Sequence, residues 1–227
     1  IEAHNNGIDI WLAPGMNIHR DPLCGRNFEY YSEDPLVASE IAGSLIRGVQ
    51  SKHVGTSLKH FLANNQETRR MSVDEIIDER TLNEIYLAAF EGAVKKAKPW
   101  TVMCSYNKIN GTYTAAHHKY LTETLRDKWG FDGYVMSDWG AVNDRVEDLK
   151  AGLDLEMPSS MGVNDKLIIE AVQNGTLEEK VLDTAVERIL NIVYRYAENR
   201  DTEAVFNLDH DHEVAKKVAE ETIVLLK

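Results

Sequence analysis

The sequence predicts an α/β fold on a parallel sheet, of the (β/α)8 TIM-barrel type, and three observations carry that prediction. Short apolar runs alternate with amphipathic helix patterns along most of the chain, the mark of successive βαβ units. The runs end in residues rich in functional groups, as the C-terminal ends of barrel strands do. No Gly-x-Gly-x-x-Gly or phosphate-loop pattern follows any of them, so a nucleotide-binding open sheet fits less well. About five strands are visible, so a full eight-stranded barrel needs upstream sequence and is expected to be incomplete at its N-terminus.

Taken in order, Ile1 to Gly7 reads as the end of a helix closed by Gly7. Ile8 to Pro14 is a strand, and the loop from Asn17 to Asp34 carries Arg20, Arg26, Glu29, Tyr30 and Tyr31. Asp34 as cap and Pro35 at the first helical position start a helix to about Gln50, with Val37, Ile41, Leu45 and Val49 as its apolar stripe. A second strand, Val54 to Phe61, ends in the cations Lys59 and His60. A polar loop with Asn64, Asn65, Glu67, Arg69 and Arg70 follows. Thr81 and Glu84 have capping-box spacing, and Leu82, Ile85, Ala89, Phe90 and Ala93 share one helical face.

The third strand, Trp100 to Tyr106, runs into Asn107 and the turn Asn110-Gly111. A helix from Tyr120 to Lys128 precedes the buried run Tyr134-Val135-Met136-Ser137, which stops on Asp138, Trp139 and Gly140. Beyond it lie a helix from Val142 to Ala151, a short strand from Leu153 to Met157, and a helix from about Asn164 to Asn174. A last barrel helix opens at the box Thr176/Glu179, with Leu182, Ala185, Ile189, Ile192, Val193 and Tyr196 inward. Trp11 and Trp100 lie within strand patterns and are expected in the core. Residues 1–197 are read as part of the barrel and 198–212 as an acidic linker. Residues 213–227 begin another domain, with a helix from about Glu213 and an apolar run from Thr222 to Lys227.

A chain of 227 residues suffices for one large α/β domain, and 43% hydrophobic with 27% charged residues is ordinary for a globular protein. A formal charge of -12 disfavours nucleic acid and anionic membranes as partners, and no apolar run approaches the roughly 20 residues that span a bilayer. Cys24 and Cys104 form neither a disulfide framework nor a zinc spacing. They read as half-buried thiols of a reducing compartment, so a cytoplasmic location is expected. No signal peptide is visible. Asp209-His210-Asp211-His212-Glu213 is read as solvated linker with a helix cap rather than a metal site.

A carboxylate closing a buried strand must meet a partner or face a cleft. Asp138 is therefore a nucleophile candidate, with capping of the following helix as the competing reading. Arg26, Lys59, His60, Arg70, Tyr106 and Trp139, with Trp100 at a strand start, would surround it with donors and aromatics. Such a set suits a sugar, whose hydroxyls take hydrogen bonds while its C–H faces pack on rings. Phosphate binding would more naturally use a Gly-rich loop at a helix start. Ordinary loop ion pairs, Arg26 with Glu29 or Glu33 and Arg69 or Arg70 with Glu67, compete for the same cations.

Five stretches narrow this further: Leu12 to Ile18, Gly25 to Pro35, Lys59 to Thr68, Ser105 to Gly111, and Ser137 to Ala141. In sequence and order they resemble the β-glucosidase branch of glycoside hydrolase family 3. The N-acetylglucosaminidase branch carries Lys-His-Phe-Pro-Gly-His-Gly where this chain has Leu62-Ala63-Asn64. The resemblance implies a barrel followed by an α/β sandwich domain, and retaining, exo-acting hydrolysis of β-glucosides or short β-glucan oligosaccharides. β-Xylosidase or another β-glycosidase activity, or a non-catalytic sugar-binding fragment, are the alternatives. It implies Asp138 as nucleophile and Trp139 as the aromatic beside it. Arg26, Lys59, His60 and Arg70 would be donors to the sugar, with Tyr106 near the nucleophile and Met103 walling the site. Cations such as Lys59, His60 and Arg70 would favour ionised Asp138. The family's acid/base glutamate would lie beyond Lys227, and an aspartate gripping the sugar's far hydroxyls would precede Ile1. No cofactor or metal is called for, and association into a homo-oligomer is left open.

Overall fold

The structure, a computed structural model, describes residues 1–225. Leu226 and Lys227, the end of the apolar run assigned to a second domain, lie outside the described residues. The elements are α1 (Glu2–Asn5), β1 (Ile10–Trp11), α2 (Pro35–Gln50), β2 (Gly55–Phe61), β3 (Asp74–Glu75) and α3 (Glu79–Thr81). A π-helical stretch, Leu82–Leu87, then leads into α4 (Ala88–Ala97). After these come β4 (Thr101–Cys104), β5 (Lys108–Ile109), β6 (Thr112–Tyr113), a second π-helical stretch Lys119–Lys128, and β7 (Tyr134–Met136). The chain continues through α5 (Arg145–Ala151), α6 (Val163–Gln173), α7 (Glu179–Asn199) and α8 (Leu208–Thr222).

Four strands make one parallel sheet in the order β1-β2-β4-β7, and Leu155 extends it by a parallel bridge to Met136. These are the five expected strands. Their C-terminal ends therefore lie along one edge. Leu58, Val102, Cys104 and Val135 face a core shared with α2, α4 and the second π-helical stretch. Met103, Tyr134 and Met136 alternate to the other face and pack on Ile192 and Tyr196 of α7. Burial on both faces is why these strands read as continuous apolar runs. Parallel pairing also places Trp100, at the start of β4, away from the edge that carries Asp138. It is core, at 7% exposed, whereas Trp11 on the edge strand β1 is 42% exposed, against expectation.

Helix α2 starts as predicted: Asp34 Oδ1 accepts from Leu36 N at 2.7 Å, with Pro35 next to it. Its buried face is different. Ala38, Ala42 and Ile46 are buried with Ser39 and Gly43, while Val37 and Ile41 are exposed. Small side chains let α4 approach closely; a Cβ on Gly92 would overlap Ser39 Oγ. Closeness of approach outweighed side-chain size, which the periodicity had weighted.

Both expected capping boxes fail. Asp78 caps α3, accepting from Thr81 N at 3.0 Å, and Thr81 lies inside the helix. Thr176 donates to Asn174 Oδ1 at 2.7 Å instead of capping α7, which begins after Glu178 with no side-chain cap. A nearby carboxylate or amide acceptor won each competition. On α7, Val193 is exposed rather than inward. Helix α8 begins at Leu208, earlier than expected, because Asn207 Oδ1 accepts from His210 N at 3.1 Å; none of its residues is buried. A small sheet, β3-β5-β6, was not anticipated, although its β5–β6 hairpin turns at the expected Asn110-Gly111. Among the described residues no helix is long and apolar enough to cross a membrane.

Candidate active site

Asp138 follows β7 after Ser137 and is 8% exposed. Its Oδ1 accepts from Trp139 N at 2.8 Å and from Tyr106 Oη at 3.1 Å. Tyr106 Oη also lies 3.0 Å from Trp139 O, so one phenolic proton serves two acceptors. Asp138 Oδ2 is buried, has no hydrogen-bond partner among the described residues, and stands 3.7 Å from His60 Nε2. One oxygen is anchored while the other keeps its lone pairs without a donor among the described residues. Capping of α5 falls to Asp144, which accepts from Val146 N and Glu147 N, both at 3.1 Å. The competing reading of Asp138 as a cap is thereby removed.

His60 is aimed by its neighbours. Asn17 Oδ1 accepts from His60 N at 3.0 Å and Asn17 Nδ2 donates to His60 O at 3.0 Å. Tyr30 Oη and Asn17 Oδ1 both lie 3.2 Å from His60 Nδ1. Tyr30 Oη can donate to or accept from Nδ1, whereas Asn17 Oδ1 only accepts, so the position of the ring proton follows from which of the two Nδ1 engages. Burial, reinforced by Arg26, Lys59 and Arg70, pushes His60 well below its ordinary value. His60 is therefore neutral and not one of the cations expected to hold Asp138 ionised. Burial also pushes the Lys59 ammonium down, opposed by Glu29 and Asp138. The β2–β4 register shifts between Leu58 and Phe61, the sort of irregularity that re-aims side chains at the end of a strand.

Two loops bring in the arginines. Arg26 precedes the short 3₁₀ turn Asn27–Glu29, and its Nε donates to Glu29 Oε1. Burial disfavours the Arg26 cation, but the hydrogen bond to Glu29 and the charges of Tyr30, Glu29 and Glu67 outweigh it, raising its pKa. Arg70 Nη1 donates to Glu67 Oε2 at 2.7 Å, and its guanidinium carbon lies 4.6 Å from the Tyr106 ring centroid. Burial first, then Asp138, pushes the Tyr106 phenol up to about 12, so it remains a donor. Ser105 and Asn107 sew the second loop to the end of β4: Ser105 Oγ accepts from Leu62 N at 3.0 Å and Asn107 Nδ2 donates to Leu62 O at 3.2 Å.

His60, Tyr106, Trp139 and Arg70 thus stand around Asp138, and the charge of Asp138 reaches Lys59. Arg26 faces the same group through His60 and Tyr106. Met103 is not drawn into this polar group: it is buried against Tyr134, Met136 and Ile192. Arg69 is exposed, as expected. The loop ion pairs weighed against a binding role both exist, Arg26 with Glu29 and Arg70 with Glu67. Pairing and placement beside Asp138 are compatible. Asn17 and Tyr30 were not singled out as site residues from sequence, their one signal being residence in the same loops, whereas Glu29 and Glu67 were read there only as partners of the arginines. Among the described residues no group of three or more His, Cys, Asp or Glu could hold a metal ion.

The family model described as "Glycosyl hydrolase family 3 N terminal domain" matches residues 1–192. The chain belongs to glycosyl hydrolase family 3. Its TIM-barrel-like α/β fold is that of the N-terminal domain of family 3. The chain is 58% identical to thermostable beta-glucosidase B of Acetivibrio thermocellus, over 100% of this chain and 30% of that protein. It is 53% identical to an exo-alpha-(1->6)-L-arabinopyranosidase of Bifidobacterium longum, again over 100% of this chain and 30% of that one. Beta-glucosidase 3B of Thermotoga neapolitana, solved in complex with glucose, superposes with a TM-score of 0.93 at 50% identity, over 100% of this chain and 33% of that structure. The chain thus spans about a third of the length of these family 3 relatives.

Proposed function

We propose that the protein carrying this chain is a retaining, exo-acting β-glucosidase with Asp138 as nucleophile. The observation that carries the reading is the divided carboxylate: Oδ1 held by Tyr106 and Trp139, Oδ2 unpartnered beside His60. An unpaired buried oxygen costs stability, and such groups persist where chemistry uses them. Asp138 Oδ2 would bond to the anomeric carbon as the bond to the aglycone oxygen breaks. That oxygen takes a proton from a carboxylic acid, and water then frees the sugar. The two glutamates of this cluster, Glu29 and Glu67, are engaged by arginines, and the family resemblance implies an acid on a carboxyl outside this chain.

Lys59, His60, Arg70 and Arg26 would donate to sugar hydroxyls, with Trp139 presenting an aromatic face. A β-glucoside or short β-glucan oligosaccharide is the substrate this set suits, in a cytoplasmic protein. A second reading follows from the arabinopyranosidase relative. An α-L-arabinopyranoside also carries its leaving group equatorially, differing from a β-glucoside at C4 and by lacking C6. The test is a mechanism-based 2-fluoroglucoside applied to the full-length protein. The label is expected on the peptide containing Asp138, with Asp138→Asn losing hydrolysis; label on another peptide refutes the assignment.

A further inference from the structure

We propose that Asn110 is a positioning residue for the site: its side-chain amide clamps the loop that carries Arg70 to the hairpin that follows Tyr106. The proposal rests on the reading of Arg70 as a donor to the sugar, and adds what holds that donor in place. Arg70 lies between β2 and β3, in a segment that contributes no strand to the main parallel sheet. Its backbone bonds there are local. Arg70 N donates to Glu67 O at 3.2 Å, and Ser72 N and Val73 N donate to Arg69 O at 2.8 and 2.9 Å. Such turns fix the shape of a loop but not where it stands against Tyr106 and Asp138.

That placement comes from the small sheet. Lys108 N donates to Val73 O at 2.9 Å, three residues beyond Arg70, and Asp74 and Glu75 pair in parallel with Lys108 and Ile109. Asn110 N donates to Glu75 O at 3.1 Å, and there the hairpin turns away. The Asn110 side chain carries the pairing further: Oδ1 accepts from Ile77 N at 3.0 Å and Nδ2 donates to Ile77 O at 2.9 Å. One amide thus satisfies both backbone groups of a residue beyond the ladder, as a neighbouring peptide unit would. Gly111 N adds a bond to Asp74 Oδ1 at 2.9 Å. The clamp has a firm base, since Ile109 is fully buried and Ile77 packs against the same core. Tyr106 needs no such help, because its neighbours Ser105 and Asn107 are bonded to Leu62. Its ring is the fixed surface against which the Arg70 guanidinium is set.

A turn alone does not need this amide. Asn110 and Gly111 have φ of 49° and 94°, the left-handed backbone of a two-residue hairpin loop that Asn-Gly supplies. Glycine at position 110 keeps that turn and removes both bonds to Ile77. Aspartate keeps the acceptor for Ile77 N and loses the donor to Ile77 O. The two substitutions separate the turn from the clamp.

The test uses the full-length protein, its Asn110→Gly, Asn110→Asp and Arg70→Ala variants, and the double variant Arg70→Ala/Asn110→Gly, on 4-nitrophenyl β-glucopyranoside. Asn110→Gly should lower kcat/KM about ten-fold, through two lost hydrogen bonds and a displaced donor, and Asn110→Asp should lose less. In the Arg70→Ala background, Asn110→Gly should cost less than about two-fold, because the group it positions is gone. A merely destabilising substitution would lower the active fraction by the same factor in both backgrounds. Equal losses in the two backgrounds, or no loss from Asn110→Gly, overturn the proposal. Amide hydrogen exchange read by mass spectrometry needs no catalysis. In Asn110→Gly, exchange should quicken at least about ten-fold over residues 68–78 and stay unchanged over 134–138. Unchanged exchange over 68–78 also overturns the proposal. If Arg70→Ala hydrolyses the glucoside as fast as the unaltered protein, the reading of Arg70 as a sugar donor fails instead, and exchange still decides whether Asn110 holds the loop.

Discussion

In the proposed reading Lys59 and His60 are donors to the sugar: His60 is neutral, and Lys59 is half-buried with Glu29 and Asp138 supporting its charge. A donor to substrate hydroxyls serves every substrate, whereas a proton donor to the leaving group matters only for poor leaving groups. Lys59→Ala in the full-length protein should therefore lower kcat/KM even for an activated aryl β-glucoside. A loss confined to poor leaving groups would contradict that role. Asp148 on α5 poses a different problem at the same scale. It is fully buried, and neither carboxyl oxygen has a partner among the described residues. Burial, only partly opposed by Arg145, raises its pKa to about 7. The folded state then binds more protons than the unfolded state between about pH 4 and pH 7. Stability falls as pH rises through that window, by at most about 4 kcal/mol, and the penalty is complete above it. Asp148→Asn should raise Tm more at pH 8 than at pH 5. An equal shift at the two pH values would remove the ionisation argument.

The strand that delivers Asp138 is held by a buried ionic group. Asp154 Oδ2 accepts from Val135 N at 2.7 Å, standing beside β7 where a backbone partner would be, and from Arg126 Nη2 at 2.5 Å. Its Oδ1 accepts from Arg188 Nη1 of α7 at 2.9 Å, so one carboxylate ties the second π-helical stretch, β7 and α7 together. Burial lowers Arg126 to about 10 despite Asp154. Removing one partner of such a group strands the others. Asp154→Asn should cost about 3–5 kcal/mol, read as a lower denaturant midpoint. An unchanged midpoint would show that β7 is held by its ladder alone.

The chain carries the donors and the nucleophile that the proposed reading assigns to it, while spanning about a third of its relatives' length. Residues 1–227 produced alone should hydrolyse an aryl β-glucoside at least about 10²-fold more slowly than an intact family member, because general acid catalysis is worth about 10²–10⁴-fold. Turnover near that of an intact relative, without azide as an added nucleophile, would place a catalytic acid inside this chain. Among the described residues, exposed apolar groups include Trp11 on β1, and Val218, Ile223 and Leu225 in or beyond α8. On an edge strand and an uncovered helix, such surface favours association at high concentration.

What the sequence determined by itself were features set by neighbours along the chain. Asp34-Pro35 opened its helix, Asn110-Gly111 turned its hairpin, and the apolar runs ending at His60-Phe61 and Asp138 became parallel strands. Residue type and spacing decide these, because capping, turn dihedrals and period-2 burial act over a few residues. The five short stretches pointed to family 3 for a similar reason: their order along the chain mirrors the order of strand ends around one site. Tertiary structure alone decided which helix face is buried and how the site is wired. Val37 and Ile41 lost to Ala38 and Ala42 because helix approach depends on the partner's Gly92, many residues away. Asn17 and Tyr30 could be linked to His60, and Arg70 to the Tyr106 ring, only once separate loops were brought side by side. Burial completed the change, turning His60 from an expected cation into a neutral ring. Desolvation is a property of everything packed around a group, and no local stretch of sequence contains it.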